Sequence, residues 1–182
     1  DWPVMLAQLN LLGSHDTPRT LTLFGGDRDR FKLALFCLMT SPGAPCVYYG
    51  DEVGLTGGPD PACRAAMPWD ESQWDAGLRD HVRRLIALRK RHPALRRGDF
   101  TRLYAHRGVY ACGRRYQDET LVVILNSNDH AVEVSVPARG YLPDGVALRN
   151  VWPGTDETAT VAGGRIHGLR LPARAGGVWS VV

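Results

Sequence analysis

Two short apolar runs, each passing straight into polar, turn-forming residues, constrain this chain more than any other feature. The first is Leu9 to Ser14, followed by His15-Asp16-Thr17-Pro18-Arg19. The second is Pro45 to Tyr49, followed by Gly50-Asp51-Glu52. Continuous apolar strands of this kind suit a parallel sheet covered by helices on both faces. In such architectures the carboxyl ends of the strands carry the ligand contacts and the chemistry. The polar residues after each run are therefore the first candidates for function.

The segments around the two strands fit the same architecture. Residues 1–8 show no helix cap and read as the end of an element. Asp16 or Thr17, with Pro18 behind it, reads as a helix start, because proline is tolerated at the first helical position. A second start falls at Asp27 to Asp29. From there Phe31, Leu35, Leu38 and Met39 repeat at helical spacing, with Leu33, Phe36 and Cys37 widening the apolar face. Ser41-Pro42-Gly43 ends that helix. A polar loop, Gly54 to Asp75, follows the second strand. Loops of this length inside a domain are usually functional. A third helix is predicted from about Leu78 to Arg91, with Leu78, Val82, Leu85 and Ile86 as its stripe, stopping at His92-Pro93. Strand, helix, strand, loop and helix make two βα repeats.

After about Arg97 the pattern changes. Residues 99–106, 108–116, 119–127, 131–137, 146–152, 158–162, 165–173 and 177–182 are short segments divided by Gly, Asp, Asn and Pro turns. Val132, Val134 and Val136 alternate with polar residues, as in a half-buried strand. Eight such segments predict an antiparallel β-sandwich. The expected division is residues 1–97, α/β, and residues 98–182, all-β.

Composition removes several function classes. The net charge of +3 is carried almost wholly by arginine, since Lys32 and Lys90 are the only lysines. The arginines are scattered among acids, so no basic stripe marks a nucleic-acid partner. No apolar run reaches 18 residues, so no membrane helix is expected. Cys37, Cys46, Cys63 and Cys112 show neither C-x-x-C nor zinc-finger spacing. They demand no oxidising compartment, and the expected location is cytoplasmic, with no metal and no cofactor. Gly57-Gly58 is no phosphate loop, because no Lys-Ser/Thr follows.

The local chemistry leaves alternatives open. Asp16 could cap the helix beside Pro18, and His15 could be a satisfied core histidine. Asp16 and Glu52, on neighbouring strand ends, could instead form a carboxylate pair. Pairs about 5–5.5 Å apart serve retaining glycosidases. Trp69 and Trp74 could stack on sugar rings or pack beneath the loop, whereas Trp152 and Trp179 read as core.

Several ordered motifs together resemble the α-amylase family, glycoside hydrolase family thirteen, nearest its neopullulanase, cyclomaltodextrinase and maltogenic amylase group. They are His15-Asp16-Thr17-Pro18-Arg19, Pro45 to Leu55, Gly57-Gly58-Pro59-Asp60-Pro61-Ala62-Cys63-Arg64, Met67-Pro68-Trp69-Asp70 and Leu88 to Gly98. The resemblance implies that residues 1–97 are the C-terminal portion of a catalytic (β/α)₈ TIM barrel, strands seven and eight with their helices. Residues 98–182 would be the β-sandwich called domain C. Asp16 matches the third catalytic carboxylate, which holds hydroxyls of the reacting ring and favours its transition state. His15 matches a histidine donating to the same ring, and Asp60 with Arg64 a pair that binds the next glucose unit. Glu52 matches a residue that organises the barrel top, not the acid/base. The family's nucleophile and acid/base, on strands four and five, have no counterpart in this sequence. The subgroup's dimerising N-terminal β-domain has none either. The resemblance thus implies a C-terminal part of a retaining α-glucan hydrolase, inactive alone, whose parent forms homodimers and acts on cyclodextrins, pullulan, starch or maltooligosaccharides. The competing expectation is a non-catalytic α-glucan-binding module, or a fragment with no function of its own.

Overall fold

In the computed structural model, which describes residues 1–182, a short helix α1 (Trp2–Ala7) leads into β1 (Leu9–Leu11). The helix has proline at its start, where a missing N–H loses no hydrogen bond. As expected, no side chain caps this helix. β1 is followed by α2 (Thr20–Leu23), α3 (Arg28–Thr40) and β2 (Ala44–Cys46), and then by α4 (Ala76–Arg91). β1 and β2 pair in parallel, with Leu9 opposite Ala44, Asn10 opposite Pro45 and Leu11 opposite Cys46. Backbone contacts group Asp1–Arg89 into one unit and Lys90–Val182 into another.

In the first unit the helices carry the burial. Asp27 caps α3, its Oδ1 accepting from Asp29 N at 3.1 Å and Arg30 N at 3.0 Å. The expected positions Phe31, Leu35, Leu38 and Met39 are all buried. On α4 the buried face is Leu78, Val82, Leu85 and Leu88. Ile86, expected in that stripe, is exposed, and Arg89 takes a buried place instead. Its guanidinium donates to the carbonyls of Met39 at 2.7 Å, Ser41 at 3.0 Å and Gly43. These lie at or beyond the C-terminal end of α3, where carbonyls lack helical partners. Gly43 has φ +94° there, and a Cβ would stand 2.7 Å from the Gln8 carbonyl, so no other residue fits.

Both strands are shorter than expected, and neither is buried on both faces. Leu9 is 64% and Leu11 48% exposed. Each strand pairs only with the other. The turn after β1 also differs from expectation. Residues 15 and 16 form a tight turn, and α2 begins only at Thr20. Asp16 N donates to Ser14 Oγ at 3.2 Å, and Ser14 N to Thr17 Oγ1 at 3.3 Å. Local hydroxyl acceptors thus hold the backbone in a turn rather than a helix.

In the second unit, α5 (Pro93–Arg97), which the sequence reading missed, precedes eight strands. They are β3 (Thr101–His106), β4 (Val109–Tyr116), β5 (Glu119–Asn126), β6 (Val132–Pro137), β7 (Ala147–Asn150), β8 (Thr158–Ala162), β9 (Arg165–Leu171) and β10 (Ala175–Val181). Every expected strand is present. The order β3-β4-β5-β10-β7-β8-β9-β6 is hydrogen-bonded throughout. One core, including Ala111, Ile124, Val136, Leu148, Ile166 and Trp179, is shared by strands from both ends of that order. Trp179 is fully buried, as expected.

Candidate functional site

The site lies in the first unit, where the turn after β1 meets the loop after β2. Two segments far apart in sequence are tied by one guanidinium. Arg64 Nε donates to the His15 carbonyl at 3.0 Å and stands 2.9 Å from Asp60 Oδ1. Cys63 Sγ donates to the same carbonyl at 3.2 Å. Alongside, His15 Nε2 lies 3.3 Å from Asp16 Oδ1. All four residues singled out in the sequence are therefore brought together.

Their side chains remain accessible. His15 and Asp16 are 64% and 68% exposed, and Asp60 and Arg64 about half. Asp16 caps no helix, since α2 starts four residues later without a side-chain cap. The capping reading of Asp16 is thereby overturned. An exposed carboxylate that accepts, an imidazole beside it and an Asp–Arg fork offer both acceptors and donors to a polyhydroxylated ligand.

Behind this exposed layer lies a buried one. Arg19 is fully buried. Its Nε donates to the Cys63 carbonyl at 2.9 Å, and its Nη1 to the Tyr49 carbonyl and to Asp51 Oδ1, the latter at 3.1 Å. The guanidinium carbon sits 4.2 Å from the Tyr48 ring centroid and 4.5 Å from that of Tyr49. Arg19 N donates to Gly57 O at 2.9 Å. Gly57 itself admits no side chain, since a Cβ would stand 2.3 Å from the Ala62 carbonyl. Burial pushes the Asp51 carboxyl up to about 6, with Glu52 adding to the rise and Arg19 opposing it. Sequence reading quoted Arg19 within a motif but gave it no role. An arginine immediately before a helix start gives no periodicity signal, and its burial depends on carbonyls 30 and 44 residues away.

The acids split into separate partnerships. Asp16 pairs with His15, and Asp51 with Arg19. Glu52 lines a cavity of about 390 Å³ with Tyr49, Val53, Met67, Trp69, Trp74 and Arg79, and its Oε2 is buried without a partner. Trp74 packs beneath the loop, donating from Nε1 to Pro68 O at 2.6 Å with the Arg79 guanidinium over its ring. Trp69 is 81% exposed at the cavity rim.

Comparison with known proteins assigns this architecture. The family model for the α-amylase catalytic domain matches residues 3–92, and that for the neopullulanase-like C-terminal domain matches residues 100–180. The chain therefore belongs to the α-amylase family, as the end of its (β/α)₈ catalytic domain followed by an antiparallel β-sandwich. A cyclomaltodextrinase of Geobacillus thermopakistaniensis is 49% identical over 140 residues, which cover 74% of this chain and 24% of that protein. Neopullulanase 2 of Thermoactinomyces vulgaris is 42% identical over 135 residues, 72% of this chain and 23% of that protein. Among solved structures, an α-amylase of Geobacillus thermoleovorans complexed with acarbose superposes with a TM-score of 0.86 at 32% identity. That match covers 97% of this chain and 39% of the other. The chain spans about a quarter of the length of these curated relatives. No helix is long and apolar enough to cross a membrane.

Proposed function

We propose that this chain is the C-terminal part of a retaining α-glucan hydrolase acting on α-1,4, and in some substrates α-1,6, bonds of cyclodextrins, pullulan, starch or maltooligosaccharides. Residues 1–97 furnish the closing part of the catalytic barrel and residues 98–182 domain C. Asp16 accepts from hydroxyls of the reacting ring, most strongly as that ring flattens toward the oxocarbenium-like transition state. His15 donates to the same ring. Asp60 and Arg64 orient the neighbouring glucose unit without taking part in bond breaking. The observation that supports this reading is the single Arg64 guanidinium joining Asp60 to the His15 carbonyl, so that the His15–Asp16 and Asp60–Arg64 pairs lie side by side. A parent that forms homodimers belongs to the same reading, as does a cytoplasmic location.

The chain by itself supplies no nucleophile and no acid/base, so its role is ground-state and transition-state recognition. Removing either catalytic carboxylate from such an enzyme lowers its rate by several orders of magnitude. The purified chain should show only background release from cyclodextrin or a nitrophenyl maltoside. Robust turnover lost on Glu52→Gln would restore the local carboxylate-pair mechanism and end this reading. A second reading, a non-catalytic glucan-binding module, is favoured by exposed Trp69 at the rim of the cavity. Maltooligosaccharide affinity that survives Asp16→Ala but not Trp69→Ala would select it.

A further inference from the structure

A fully buried guanidinium held by one carboxylate is a poor device for stability alone. Desolvating such a pair offsets most of its attraction, and an apolar residue of similar size often serves a core as well or better. The surroundings of Arg19 suit another task. Its hydrogen bonds run to three separate places: the Cys63 carbonyl in the loop, the Tyr49 carbonyl beyond β2, and the Asp51 carboxylate. Two tyrosine rings fix the plane of the fork. Cys63 and Arg64 both donate in turn to the His15 carbonyl. An unbroken chain of contacts thus runs from Arg19 through the Cys63 peptide to His15, and through Arg64 to Asp60.

We propose that Arg19 is the positioning residue of the sugar site, setting the loop 57–64 against the His15–Asp16 turn while touching no sugar itself. This rests on the reading of those residues as sugar-binding. The requirement is for a fork, not for charge. Lysine at this position keeps a cation for Asp51, but its three donors diverge from one nitrogen and cannot hold the Tyr49 and Cys63 carbonyls in one plane. Loss of the fork frees the Cys63 peptide, and Arg64 then loses its fixed distance to the His15 carbonyl.

The test compares Arg19→Lys with Leu35→Ala, a core variant of the same unit, in the 182-residue chain. Three readouts are followed: the arginine Nε–H signals by nuclear magnetic resonance, the alkylation rate of Cys63, and maltotriose affinity. Arg19→Lys should collapse the dispersed Arg64 Nε–H signal, speed Cys63 alkylation at least tenfold and weaken maltotriose at least tenfold. Leu35→Ala should leave the Arg64 signal in place. Equal changes in both variants would make Arg19 merely structural and overturn the proposal. Should Arg19→Lys not fold, hydrogen exchange in the wild-type chain decides. The Arg19 Nε–H and the Arg64 amide, which donates to Pro61 O, should open as one event, and independent opening overturns it. If wild type shows no response to maltotriose, the sugar-site reading fails, while the Arg64 and Cys63 readouts still decide the positioning role.

Discussion

The two units of this chain solve the problem of burial differently. In the second, eight strands hydrogen-bond in one continuous order around a single core centred on Trp179. In the first, two three-residue strands pair only with each other, and Leu9 and Leu11 face solvent. Its order comes from helices and from two buried arginines, Arg19 and Arg89, that read carbonyls across long stretches of sequence. The exposed polar constellation of His15, Asp16, Asp60 and Arg64 thus lies in the unit with the least sheet.

Five substitutions would break or sharpen that comparison. The largest effect belongs to the first unit. In an enzyme with the barrel complete, Asp16→Asn should lower kcat by several powers of ten while changing KM little, because its contacts strengthen in the transition state. Asp60→Ala should instead act mainly on KM for longer oligosaccharides. Steady-state kinetics with maltooligosaccharides of increasing length separates the two, and near-normal kcat for Asp16→Asn would remove that residue from the site. Next in size is Trp179→Ala. Emptying so large a buried volume should destabilise the second unit by about 3–5 kcal/mol, seen in a denaturant midpoint followed on that unit, and leave the first unit unchanged.

A smaller effect is expected at Asp51. Its carboxyl titrates at about 6 in the folded chain against 3.8 ordinarily, so between these values the native state binds more protons than the unfolded state. The contribution of Asp51 to the stability of the first unit should therefore be greatest below about pH 4, fall as pH rises to about 6 and level off above it. The change is on the order of 1–2 kcal/mol once solvent screening is allowed for. Asp51→Asn should abolish that slope, and a slope that persists in the variant would assign it to another group. The smallest effect is that of Trp69→Ala. Because the ring is exposed, stability should change by less than about 0.5 kcal/mol.

The same contrast explains what could be read from the sequence. The eight strands of the second unit were legible because alternation and turn residues are local signals. The helix from Arg28 and its cap at Asp27 were legible for the same reason. The His15–Asp16 turn was misread as a helix start because Pro18 follows, while the competing Ser14 and Thr17 hydroxyl bonds carry no periodic signature. The four site residues came from ordered motifs rather than from spacing. What no local pattern could supply was Arg19, whose burial and partners exist only once residues 49, 51 and 63 are folded around it.

The most direct measurement is a maltotriose titration of the isotopically labelled chain, followed at every backbone amide and at the His15 and Arg64 side chains. Saturable, millimolar-range shifts should centre on residues 14–16 and 57–64 and leave β3 to β10 unmoved. Shifts confined to the β-sandwich or to the Trp69 rim, or none at all, would contradict the assignment of the sugar site to His15, Asp16, Asp60 and Arg64.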